Sequence, residues 1–78
     1  MNKDLFESKW KQIRSQTPAW WSLISSQDLE KVDKAEVKIT KYTTLLQVKY
    51  GYTREEAKKE VVKRLKEYEL EQKAASDG

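Results

Sequence analysis

The stretch Tyr50-Gly51-Tyr52-Thr53-Arg54-Glu55-Glu56-Ala57 constrains this chain more than any other. It reads as the end of one helix, a one-residue reversal and the start of the next. Gly51 suits the C′ position, where the backbone turns left-handed and a side chain costs roughly 1 kcal/mol. Tyr52 follows as an apolar residue able to fold back on the helix just left, or to staple to Ala57. Thr53 and Glu56 have the spacing of a reciprocal capping box. Two helices joined this tightly must lie side by side or cross. The expected fold is therefore all-α, a small orthogonal bundle of about four helices whose last two are joined by a tight Gly turn.

The remaining helices are placed by periodicity. Residues 4–16 form the first, with Asp4 as N-cap, Glu7 as its N3 acid, and Phe6, Trp10, Ile13 and Thr17 on one face. Thr17-Pro18 ends it, because proline disfavours helical geometry at the residue before it. The same pair can open a new turn carrying Trp20 and Trp21. Adjacent helical residues point about 100° apart, so Trp21 is assigned to the core and Trp20 to a half-exposed position. There Trp20 is either a lid on the core edge or an aromatic anchor for a partner. Ser25 and Asp28 cap a short helix bearing Leu29 and Val32, and Asp33 is read as a solvated or capping residue.

Residues 35–50 are rich in β-branched and aromatic side chains, which favours a strand by propensity. Against that, Ala35, Ile39, Tyr42, Leu46 and Tyr50 share one helical face, and no turn residue interrupts the run before Gly51. A helix is the expectation. On it Lys34, Lys38, Lys41 and Lys49 fall within an arc of roughly 80°, with Leu45 in its middle. The last helix opens at Thr53, with Ala57, Val61, Leu65, Tyr68 and Gln72 tracking one face, Val62 beside it, and Glu55–Lys59 and Glu60–Arg64 as i,i+4 pairs. Residues 1–73 make one domain, and 74–78 are expected to be a disordered tail.

Composition limits the chemistry. A chain of 78 residues buries only about 60% of the surface its unfolded form exposes. Its eight aromatic residues argue against disorder. With no cysteine and no histidine it lacks disulfides, thiolate metal sites and the commonest general base. No catalytic, metal-binding or cofactor-binding residue is assigned, and no cofactor is expected. No apolar run approaches the ~18–20 residues of a membrane span, so the expected compartment is the cytoplasm. The net charge of +3 is unevenly spread: residues 34–51 carry four Lys against Glu36, whereas residues 52–78 carry seven charges of each sign.

From Asn2-Lys3-Asp4 through Trp10-Lys11-Gln12-Ile13, Trp21 and Ile24-Ser25-Ser26-Gln27-Asp28-Leu29, the chain resembles the CsbD-like family of small bacterial stress-response proteins. The likeness continues through Leu46-Gln47-Val48-Lys49-Tyr50-Gly51-Tyr52-Thr53, Ala57 and Glu60-Val61-Val62, and covers residues 2–65. Ser8, Ser15, Ser22 and Lys34 stand where the family usually has glycine. The segment between Leu29 and Leu46 is longer by about three residues, close to one helical turn. The resemblance implies a small helical bundle in a stress-response setting and supplies no catalytic residues.

Four function classes follow. The first is a non-enzymatic stress-response protein acting by binding or abundance, probed by induction under stress. The second is a weak nucleic-acid-binding module, or one for an acidic protein, using Lys34, Lys38, Lys41, Lys49 and Trp20. The third is an enzyme using a carboxylate such as Asp28 or Asp33, which would need a perturbed group in a pocket. The fourth is an adaptor that self-associates through Val37, Leu45 and Val48, although a monomer is the primary expectation.

Overall fold

The computed structural model describes residues 2–77, with side chains through residue 73. Four helices follow in order: α1 (Lys3–Trp20), α2 (Ser26–Asp33), α3 (Lys38–Tyr50) and α4 (Arg54–Asp77). The all-α expectation holds, and no strand occurs among the described residues. The expected tail, 74–78, lies outside the residues whose side chains are described.

Helix α1 starts earlier and ends later than periodicity predicts. Its N-cap is Asn2, whose Oδ1 accepts the Leu5 backbone N–H at 2.8 Å, so Asp4 is not the cap. The helix also runs through Pro18 to Trp20. Proline removes one donor from the last turn, but that turn is closed by other bonds. Trp21 N–H donates to Thr17 O at 2.7 Å, and Thr17 Oγ1 donates to Ile13 O at 2.7 Å. Trp21 then takes extended geometry (φ −139°, ψ 93°), and its ring meets that of Trp20 edge-on at 6.0 Å.

Helix α2 carries the expected capping box, with Ser25 Oγ accepting from Asp28 N–H and Asp28 Oδ2 accepting from Ser25 N–H, both at 3.1 Å. Helix α3 begins at Lys38, not at residue 35, because Ala35 N–H closes back on Val32 O. Its N-cap, Val37, has no side-chain oxygen to offer. Glu7 of α1 supplies one from across the bundle: Oε1 accepts Lys38 N–H at 3.4 Å, and Oε2 pairs with Lys38 Nζ at 3.3 Å. Glu7 thus caps α3 instead of its own helix.

The α3–α4 connection matches the expectation closely. Gly51 is left-handed (φ 74°, ψ 19°) and donates to Gln47 O at 3.0 Å. Glu56 N–H donates to Thr53 Oγ1 at 3.1 Å, and Thr53 N–H donates to Glu56 Oε1 at 2.9 Å. Tyr52 folds back to stack on Tyr50, with ring centroids 5.8 Å apart.

Helix α3 is the centre of the bundle and touches each of the other three. Its buried face is correspondingly wide: Ile39, Tyr42, Thr43, Leu45 and Leu46. Leu45 is therefore core and not an exposed member of a lysine arc. The core is completed by Phe6, Trp10 and Ile13 from α1, Trp21 and Ile24 from the connection, Leu29 and Val32 from α2, and Ala57, Val61 and Leu65 from α4. Phe6, Trp10, Trp21 and Tyr42 meet edge-on or stacked at 5.5–6.1 Å, arrangements worth about 0.5–1.5 kcal/mol per pair beyond area burial.

Candidate functional site

Several polar side chains hold one helix to another. Thr17 Oγ1, already donating to Ile13 O, accepts from the Tyr42 hydroxyl at 2.7 Å. Burial pushes the Tyr42 phenol well above its ordinary range, so it stays a neutral donor. Trp10 Nε1 donates to Asp33 Oδ1 at 2.7 Å, and Arg14 Nε donates to both carboxylate oxygens at 3.2 and 3.0 Å. The Trp10 bond first, and Arg14 second, hold the Asp33 carboxyl below the usual aspartate range. Asp33 is thus the tie between α1 and α2, and not merely a solvated residue. The Asp28 carboxyl is also held low, by the Ser25 backbone N–H and hydroxyl and then by Lys49. Arg64 lies over the Trp21 ring at 4.7 Å, which explains why the expected Glu60–Arg64 pair does not close. The Glu55–Lys59 pair does not close either. Among the described residues two buried donors, Trp21 Nε1 and Arg64 Nε, have no hydrogen-bond partner.

The five residues singled out from the sequence are not a set of free side chains on α3. Lys34 is the C-cap of α2 and lies outside α3. Lys38 is committed to Glu7, and Lys49 pairs with Asp28 at 3.4 Å. Lys41 is half-buried. Only Lys34 leaves the arc, because α3 starts later than the arc assumes; Lys38, Lys41 and Lys49 stay on one face of α3, but acids from α1 and α2 neutralise Lys38 and Lys49. Trp20 is half-buried against Trp21 (6.0 Å) and Tyr68 (6.4 Å), which makes it a lid on the core edge. Of the apolar stripe Val37, Leu45 and Val48, only Val48 is exposed, at 75%.

The organised charge lies on α4. Its formal neutrality conceals a division by face. At about 100° per residue, Lys58, Lys59, Lys63, Lys66 and Lys73 span an arc of about 140° that includes Val62 and Leu70. Glu56, Glu60, Glu67 and Glu71 occupy an adjoining arc of about 60°. Lys58, Lys59, Lys63 and Lys66 surround Val62 in an open depression and enter no ion pair among the described residues. A neighbouring groove, lined by Leu5, Lys9, Val62, Lys66 and Glu69, joins the face to α1. Lys9 pairs with Glu69 there at 3.0 Å. Leu70 is 66% exposed and Leu5 44%. Counting charge by segment hides this division, whereas projecting residues 54–73 onto a helix exposes it. Among the described residues no group of three or more His, Cys, Asp or Glu could hold a metal ion, and no helix is long and apolar enough to cross a membrane.

Fold and surface together define a small helical-bundle protein with an aromatic interior and a charge-divided outer helix. By sequence the chain belongs to the UPF0337 family of bacterial proteins. It is 33% identical over 61 residues to a UPF0337 protein of Bordetella pertussis, covering 78% of this chain and 88% of that protein. It is 36% identical over 62 residues to one of Pseudomonas aeruginosa, covering 78% and 89%. No family profile matches the chain, and no solved structure matches it.

Proposed function

We propose that this UPF0337 protein is a CsbD-like bacterial stress-response protein, working in the cytoplasm by binding or by abundance and without catalysis. The observation that carries the reading is the use made of the polar groups that bridge its helices. Asp33, Arg14, Thr17, Tyr42 and Glu7 each tie one helix to another, so their chemistry is spent on the fold. Support also comes from the residues shared with the CsbD-like pattern, several of which have structural tasks here: Asn2 as cap, Asp28 in the capping box of α2, Trp10 as tie and Gly51 as turn. The resemblance supplies the stress setting.

The test is quantitative detection of the protein in its host under osmotic, starvation and envelope stress, with survival of a deletion strain alongside. The reading expects the protein to rise several-fold under at least one stress and the deletion strain to survive that stress less well. Unchanged levels and unchanged survival would refute it.

A further inference from the structure

We infer that the lysine face of α4 is a docking surface for an anionic lipid bilayer, reached from one side and without insertion of a helix. The first argument is charge complementarity. Four lysines around Val62 are free of ion pairs among the described residues, and Lys73 extends the same face by two further turns. Basic side chains near an anionic leaflet each add to attraction, within a Debye length of the surface. Two acids share the arc. Glu69 is neutralised by Lys9, and Glu55 lies at its N-terminal end. The acids of the adjoining flank, Glu56, Glu60, Glu67 and Glu71, point away when the lysines face the bilayer, so the division fixes one orientation.

The second argument separates a bilayer from a nucleic acid. The side chains among these lysines are aliphatic: Leu5, Val62 and Leu70. Aliphatic groups beside lysines can enter the headgroup boundary while the amines meet phosphates. Single-stranded nucleic acid is held by aromatic stacking in addition to charge. This face offers no ring, because the tryptophans, the tyrosines and Phe6 are buried or half-buried elsewhere. A duplex would engage the lysines and leave the leucines exposed. Shape agrees with a planar partner: α4 extends about 36 Å, close to the molecule's longest dimension of 39 Å.

The test is co-sedimentation of the full chain with phosphatidylcholine vesicles, with and without one-quarter phosphatidylglycerol, at low and near-physiological salt. The expected result is binding to the anionic vesicles only, weakened by salt. Lys59→Gln/Lys63→Gln/Lys66→Gln should lower the partition coefficient at least about tenfold. Lys11→Gln/Lys31→Gln/Lys34→Gln removes the same net charge from exposed positions elsewhere and should retain most of the binding. Leu70→Ser should leave low-salt binding nearly intact and lower what persists at higher salt. Circular dichroism must show equal helix content in all variants. Failure to bind anionic vesicles, or equal losses from the two triple variants, would overturn the proposal. So would a preference for random duplex DNA over vesicles at the same salt.

Discussion

Helices α1 and α4 both pack on α3, but by different means. The α1 side is tied by polar bonds between helices: Thr17 to Tyr42, Glu7 to Lys38, and, through α2, Trp10 and Arg14 to Asp33. Helix α4 contributes Ala57, Val61 and Leu65 to the core, with Tyr68 at its edge, and turns its lysines and most of its acids outward. Polar bonds between helices are directional, so the α1 side sets how the helices lie. Beyond its apolar stripe α4 is engaged by Arg64 over Trp21 and by the Glu69–Lys9 pair, whereas Lys58, Lys59, Lys63 and Lys66 enter no ion pair among the described residues. The contrast separates residues held by the fold from residues open to a partner.

The sharpest way to break the contrast is through volume. Phe6 is fully buried among Trp10 and Tyr42, so Phe6→Ala should cost about 3–5 kcal/mol. A bundle of this size has a net stability of roughly that amount, so the cooperative urea transition should be largely lost. Leu70→Ala, on the exposed side of α4, should move the urea midpoint by less than about 0.5 kcal/mol equivalent.

The next comparison lies within the α1 joint. Thr17→Val removes the acceptor of the Tyr42 hydroxyl and leaves a buried donor alone, so about 1–3 kcal/mol should be lost. Tyr42→Phe deletes the hydroxyl itself, and Thr17 keeps its bond to Ile13 O, so the cost should be only about 0.5–1.5 kcal/mol. Urea denaturation of both variants checks the order, and the reverse order would mean that the Thr17–Tyr42 bond does not bridge the helices.

At the α3–α4 turn, Gly51→Val should cost about 1–2 kcal/mol from backbone strain alone, since nothing lies within 4 Å of the added carbon. Thr53→Ala should cost about 1 kcal/mol through the lost cap. This turn was fully legible in the sequence, because a glycine stop and a capping box are local devices with fixed spacing. The four-helix architecture and the core face of α4 were legible for a related reason, since both follow from periodicity within one segment. What periodicity did not reveal depends on contacts between segments. Glu7 looks like a cap for its own helix and serves α3 instead. Asp33 looks solvated until α1 brings Trp10 and Arg14 to it. The lysine arc on α3 is neutralised at Lys38 and Lys49 because Glu7 and Asp28 arrive from elsewhere. The charge division on α4 is local, and segment totals concealed it.

Acid should weaken both the inter-helix tie at Asp33 and the helix caps. The carboxyls of Asp28, Asp33 and Glu56 are all held below their ordinary values in the folded chain. The unfolded chain therefore takes up protons first as pH falls. Their stabilising contribution is complete above the ordinary carboxyl range and is lost as pH drops through the lowered folded values. Melting temperature should be flat near neutrality and decline below about pH 4–5. Asp33→Asn should make that decline shallower, and an unchanged slope would remove Asp33 from the account.

The smallest expected effect tests the other half of the contrast. Lys59, Lys63 and Lys66 lie three and four residues apart on one face, and like charges at that spacing repel by about 0.2–0.5 kcal/mol per pair. None is in an ion pair among the described residues, and glutamine has nearly the helix propensity of lysine. Lys59→Gln/Lys63→Gln/Lys66→Gln should therefore leave the urea midpoint unchanged or raise it slightly. Lys38→Gln, which breaks the contact with the Glu7 carboxylate at the start of α3, should lower it. A marked loss of stability in the triple variant would show that α4's lysines serve the fold after all, and the contrast with α1 would fall. A neutral or stabilising result leaves a cluster of like charges that the fold does not need, as docking through this face requires.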